Sequence, residues 1–249
     1  MSNNKPLQTS RREFLGKSAA AGAALAAAGS GLVLTQLAQA RPPEQPVSNK
    51  VRWGLLVDAS KCADGCTDCV TACHEENGIE QTGHPRTDPQ WMRKVELKDK
   101  RTGFEISLPM MCQHCEAAPC VDVCPTGASF IRADGIALVD RHICIGCRYC
   151  MMACPYKARS FEHEPVHNQK PYAPRGKGTV EACTMCVHRV DADRQPACVE
   201  ACAAAGHNAI IFGDLKDPNS DISRKMASEP SRAVRADLKL NPGVRYQGV

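Results

Sequence analysis

Sixteen cysteines are the residues best placed to do chemistry in this chain, and they fall into four groups of four with none left over. The groups read Cys62-x3-Cys66-x2-Cys69-x3-Cys73, Cys112-x2-Cys115-x4-Cys120-x3-Cys124, Cys144-x2-Cys147-x2-Cys150-x3-Cys154 and Cys183-x2-Cys186-x11-Cys198-x3-Cys202. Thiol groups this dense point either to soft-metal ligation or to disulfides. Spacing separates the two. The run His142–Lys157, HICIGCRYCMMACPYK, packs four cysteines into eleven residues. Such close neighbours are poor disulfide partners. Zinc sites are built from paired C-x2-C knuckles, and the first and third groups do not divide into such pairs. Haem attachment needs C-x-x-C-H, which is absent.

The third group, closed by Pro155, is the C-x2-C-x2-C-x3-C-P run that wraps a 4Fe–4S cube with three thiolates and lends the fourth to a different cube. A short loop places three sulfurs on three corners and turns its N–H groups toward the sulfides. The fourth sulfur, at helical spacing, is expected to face away from that loop, and proline fixes the exit. Cys62-x3-Cys66-x2-Cys69 also matches the triad of radical enzymes that use S-adenosylmethionine. Those enzymes need a larger barrel, and the other cysteines would go unexplained. Sixteen thiolates therefore predict four 4Fe–4S clusters, each near −2 when oxidised and about −8 together. Arg132, Arg141, Arg148, Lys157, Arg159 and Arg189 lie close in sequence to the cysteines. They are candidates to offset this charge and tune potentials, or else ordinary surface charges. His74, His114 and His142 adjoin cysteines and are expected to hydrogen-bond around the clusters rather than to catalyse. No G-x-G-x-x-G, P-loop or G-x-S-x-G is present.

The elements that must position these groups are small. The chain has 249 residues with 4% aromatics, so a conventional core would be thin and clusters must staple the fold. Residues 1–40 carry +3 of the +4 net charge, leaving +1, and no basic run suggests nucleic acid. Ser10-Arg11-Arg12-Glu13-Phe14-Leu15 matches a twin-arginine export signal, and Ala38-Gln39-Ala40 is a small-x-small cleavage site. The alternative is an uncleaved anchor. Residues 41–51 read as a linker, and Arg52–Asp58 as a strand entering the first group. Residues 78–107 read as a polar insert. Ala128–Arg132 and Ile136–Asp140 read as strands joined by an Asp134-Gly135 turn. Ala158–Phe161 and Asn208–Phe212 repeat the exit strand after the third and fourth groups. Residues 163–180 are a loop, and 216–249 a C-terminal strap. The fold class is thus α+β: an inner ferredoxin-like half, 108–162, nested within an outer half built from 52–77 and 181–215.

Four such groups behind a twin-arginine signal resemble the four-cluster ferredoxin subunits of bacterial respiratory oxidoreductases, in the manner of DmsB, PsrB and NrfC. Arg52-Trp53-Gly54 with Asp58, Ala72-Cys73 with Glu76-Asn77, His188-Arg189 and Phe212–Ser220 carry the likeness with the cysteines. The pattern is most similar to the periplasmic DsrO-type subunit of the membrane complex associated with dissimilatory sulfite reductase. The resemblance implies four ligand sets: Cys62, Cys66, Cys69 and Cys202; Cys183, Cys186, Cys198 and Cys73; Cys112, Cys115, Cys120 and Cys154; Cys144, Cys147, Cys150 and Cys124. Three residues between Cys62 and Cys66, where the family commonly has two, and Ala203 in place of proline after Cys202 are departures. The implied function is a periplasmic wire for single electrons, without catalytic residues of its own. It implies a polytopic quinone-handling membrane partner of the NrfD or DsrP type, with a cytochrome c or other redox protein alongside, and the twin-arginine export machinery. The same motifs would serve a molybdopterin-type or a nitrite or polysulfide reductase. A soluble enzyme with its own substrate site is the rival class, and it would need an iron with only three cysteines.

Overall fold

The computed structural model describes residues 46–249; the expected export signal, at residues 1–40, lies outside them. Strand β1 (Trp53–Asp58) is a continuous apolar run, and its middle residues Gly54–Val57 are buried, as a central strand requires. Asp58 then accepts from Ser60 N–H at 3.2 Å and turns the chain into the first cysteine loop. Helix α1 (Asp68–Asn77) follows and stops at Gly78, which is left-handed.

The segment expected to be a polar insert is an ordered hairpin. Strands β2 (Met92–Lys98) and β3 (Glu105–Met111) pair antiparallel. Its base buries Trp91, Met92, Leu108 and Met111 against the core, while its tip is exposed. The polar residues that suggested a loop are those of the tip and of the solvent face.

Helix α2 (Pro119–Asp122) starts at proline, which suits the first helical turn. Strands β4 (Ser129–Ile131) and β5 (Ala137–Val139) form the hairpin expected around Asp134-Gly135. Helix α3 (Tyr149–Ala153) ends at Cys154-Pro155. Strand β6 (Arg159–Phe161) pairs antiparallel with β7 (Val180–Ala182), which leads into the last cysteine group. Helices α4 (Val187–Val190) and α5 (Ala197–Ala204) precede β8 (Ile210–Asp214). The tail contributes α6 (Asp221–Ser228), capped by Ser220, and β9 (Val244–Gln247).

Helix α1 packs on α5, and α2 packs on α3. Strand β1 lies between β8, antiparallel, and β9, parallel. The first and fourth cysteine regions thus close around the second and third, giving two nested ferredoxin-like units with little regular structure. The tail is more than a strap: Val244 and Tyr246 are fully buried in the sheet. Among the described residues no helix is long and apolar enough to cross a membrane.

Candidate metal centre

Each cysteine loop is built by the same backbone device. The residue before the second cysteine is left-handed in all four: Gly65 (φ 70°), His114 (45°), Gly146 (68°) and Met185 (54°). A left-handed residue turns the chain back on itself within two or three residues. The last two cysteines of every group are four apart, at a helix or its end: 69 and 73, 120 and 124, 150 and 154, 198 and 202. Residues four apart share a helix face, about 6 Å apart along the axis. The fourth sulfur is thereby carried beyond the three of its own loop, the direction the spacing had suggested. It lies one turn along the same face, nearer the neighbouring group; Cys69 and Cys73 are both on the buried side of α1.

Tertiary packing then brings sulfurs together across groups. Cys62, Cys66, Cys69 and Cys202 line one partly open cavity with about 300 Å³ of unfilled space. Cys124, Cys144, Cys147 and Cys150 line another of the same size. Cys73 faces Cys183, Cys186 and Cys198. Cys115 faces Cys120 and Cys154, and Cys112 faces Cys120. The sets also touch in order. Cys69 is close enough to Cys73 and Cys198 for their charges to oppose, as are Cys112 to Cys183 and Cys150 to Cys120. Every cysteine of the two middle sets is buried. The end sets contain the half-exposed Cys62, Cys66, Cys124 and Cys144 and the exposed Cys147.

All sixteen thiols are free. Burial pushes Cys69 and Cys115 up to about 11 and Cys183 up to about 12, and neighbouring sulfurs add to the effect. Cys124 is an exception. Burial is the largest single influence and pushes it up, but hydrogen bonds from Ser129 N–H, Thr126 and Ala128 together outweigh it and hold it below the usual thiol range. Thiols so buried become thiolates when metal binds among them and protons leave.

The surroundings suit a soft anionic group. Backbone N–H groups donate to sulfur from Ala209 to Cys202 (3.2 Å), Met185 to Cys183 (3.3 Å), Ser129 to Cys124 (3.4 Å) and Val180 to Cys144 (3.5 Å). The Tyr156 hydroxyl and Arg159 Nε are buried without an oxygen or nitrogen partner and lie beside cysteines, and the buried His74 Nε2 and His114 Nε2, next to cysteines in sequence, also have none. His114 Nδ1 accepts from Ala137 N–H at 3.1 Å, so its proton sits on the orphaned Nε2. Burial, reinforced by Arg159, pushes this ring down to about 4 and keeps it neutral. His142 is exposed. Cluster sulfur would satisfy these donors, and sixteen thiols in fours match the ligand demand of 4Fe–4S cubes.

The structure also sorts the candidate cations. Arg132 binds Asp134 and Asp191, Arg189 binds Glu76 and Glu200, Arg148 lies over Phe161 and Arg141 over Trp91. Arg141 also lies near Cys144 and Arg189 near Cys186, but each already has another partner; Arg159, without a carboxylate or an aromatic ring, faces Cys112, Cys120 and Cys150. Sequence reasoning missed Lys94, whose Nζ lies 2.6 Å from Cys62 Sγ. It is on β2, 32 residues away, so only recognition of the hairpin could have found it. Asp68 and His207 place donor atoms within 4.8 Å of Cys66 Sγ at the edge of the same set.

Comparison with known proteins agrees with this donor set. A family described as a 4Fe-4S dicluster domain matches residues 104–214. The chain is 41% identical to the Hdr-like menaquinol oxidoreductase iron-sulfur subunit 1 of Archaeoglobus fulgidus, over 95% of this chain and 97% of that protein. It is 34% identical to a tetrathionate reductase subunit of Salmonella typhimurium, over 98% and 90%. It is 40% identical to NrfC of Escherichia coli, over 78% and 79%. The chain belongs to the iron–sulfur electron-transfer subunits of respiratory oxidoreductases. This electron-transfer subunit carries multiple 4Fe–4S clusters and is not catalytic alone. In such a subunit these cysteines would hold the iron, and the buried donors and cations beside them would set the electrostatics around the sulfurs.

Proposed function

We propose that the chain relays single electrons through four 4Fe–4S clusters in line. The first is held by Cys62, Cys66, Cys69 and Cys202, and the second by Cys73, Cys183, Cys186 and Cys198. The third is held by Cys112, Cys115, Cys120 and Cys154, and the fourth by Cys124, Cys144, Cys147 and Cys150. One observation carries the reading: the half-exposed and exposed cysteines all belong to the first and last sets, and every cysteine of the two middle sets is buried. That is the solvent pattern of a wire with two ends. A fully cysteine-ligated cube has no open iron for a substrate, so it changes oxidation state and nothing else. Around exposed Cys147, the side chains of Ile145, Tyr149 and Met152 stand more than half exposed, an apolar face suited to a partner.

In this reading the protein is exported by the twin-arginine pathway and works in the periplasm. It joins a polytopic quinone-handling membrane subunit to a cytochrome c or another redox subunit, as a DsrO-type component of dissimilatory sulfur metabolism. The relatives' names support a quinol- and sulfur-linked setting: one is a menaquinol oxidoreductase subunit, another a tetrathionate reductase subunit. An EPR-monitored redox titration of anaerobically purified protein tests the relay. Four one-electron 4Fe–4S signals, unmoved by candidate substrates, are expected. Iron near zero with zinc in its place, or a substrate-sensitive cluster, refutes it. Isolation of the native membrane complex decides the partner; a molybdopterin subunit there would favour the reductase alternative.

A further inference from the structure

Three arginines are buried among the described residues. Arg175 pairs with Glu162 at 2.5 Å and Glu181 at 2.9 Å, and Arg189 pairs with Glu76 at 2.7 Å. Arg159, 5% exposed, has no carboxylate partner among them. Its Nη1 donates to Ser129 Oγ at 2.5 Å, and its Nε has no partner. A buried guanidinium without an anion is strongly disfavoured, so the fold must supply one. The anions within reach are sulfurs. Arg159 begins β6, between the β4–β5 hairpin that holds Ser129 and strand β7. It faces Cys112 and Cys120 of the third set and Cys150 of the fourth.

We propose that Arg159 is a positioning residue: it is the shared counter-charge of the third and fourth clusters and holds both reduction potentials up, so that they act as a matched pair. The proposal rests on the cluster assignment above. Reduction takes each cluster from about −2 to about −3. A fixed cation between them stabilises the more negative state more, so each cluster accepts its electron more readily. Guanidinium keeps its proton throughout the accessible pH range, so the effect does not vary with pH. It is buried, so added salt screens it little. The other two buried arginines cannot do this, because carboxylates already neutralise them.

The test compares wild-type holoprotein with Arg159→Gln and Arg159→Lys, all purified anaerobically, by iron content and EPR redox titration. In Arg159→Gln, two of the four potentials fall, each by at least tenfold in the reduction equilibrium, or about 59 mV for one electron. The other two stay. Arg159→Lys keeps all four near wild type, and the shift in Arg159→Gln persists at high salt and across neutral pH. Four unmoved potentials in an iron-replete Arg159→Gln protein overturn the proposal. So does an Arg159→Lys protein whose two potentials fall as far as those of the glutamine variant. If Arg159→Gln takes up no iron, the lysine variant decides: potentials held keep the proposal, and potentials lowered overturn it. Fewer than four clusters in the wild type would instead refute the cluster assignment.

Discussion

Gly65 and Gly146 occupy the same place in their loops, directly before the second cysteine, with φ of 70° and 68°. Alanine at either must adopt a left-handed conformation, which costs about 1–2 kcal/mol. Their surroundings differ. A Cβ on Gly65 meets nothing within 4 Å, whereas one on Gly146 meets the carbonyl oxygen of Gly178 at 2.2 Å. An ordinary contact needs roughly 1 Å more, so one strand of backbone must move. The moving segment would be 176–180, whose Gly178 N–H donates to Glu162 O at 2.8 Å and whose Thr179 O accepts from Glu162 N–H at 3.0 Å. Losing one or two such bonds adds about 1 kcal/mol each, and crowding adds about 1–3 kcal/mol. Gly65→Ala is therefore expected to cost about 1–2 kcal/mol, and Gly146→Ala about 3–7 kcal/mol. For a chain of this size each kcal/mol lowers the thermal midpoint by about 2–4 °C. Anaerobic thermal melts of the holoproteins at one scan rate should thus show Gly146→Ala falling by roughly 6–28 °C, against about 2–8 °C for Gly65→Ala. Iron analysis should show cluster loss confined to the Cys144 set. Equal losses in the two variants would refute the steric reasoning. His114 and Met185 already hold left-handed conformations at the matching positions of their loops, so the conformation alone is tolerable.

Lys94→Met removes a cation from Cys62 sulfur and should lower one cluster potential only. With an effective dielectric of 20 and roughly 5 Å to the cluster centre, the interaction is about 3 kcal/mol. Screening at this half-exposed site reduces it to about 1–2 kcal/mol, or ~40–90 mV in an EPR titration. Arg175→Met strands Glu162 and Glu181 in the interior and should cost about 3–5 kcal/mol of stability, read as a lowered melting midpoint with all four potentials kept. Burial opposes the charge of Glu76, but His188 and Arg189 outweigh it and hold this carboxyl below 4.5. Its contribution is therefore fully present above pH 4.5 and is lost as pH falls through the lower folded value. Glu76→Gln should flatten the acid limb of the stability–pH curve, measured on anaerobic holoprotein.

The sequence by itself determined the chemistry. Sixteen cysteines at cluster spacing leave no other use for their sulfurs, and local patterns sufficed for the Asp134-Gly135 hairpin and for the exit strands around 159–161 and 210–214. Those features are short-range: a turn residue, an alternation or a ligand interval is written in adjacent residues. The hairpin at 92–111 was not legible, because its apolar residues sit at its base, beside a polar tip. With it went Lys94, whose role depends on a contact across 32 residues. Six basic residues near the cysteines were equal candidates in sequence, and packing separated Arg159 from those bound to carboxylates or lying over aromatic rings. Only the tertiary structure decided which sets abut and which reach solvent. Spacing fixes how sulfurs lie within a loop, but their order in space follows from which helix packs on which, a long-range outcome of burial.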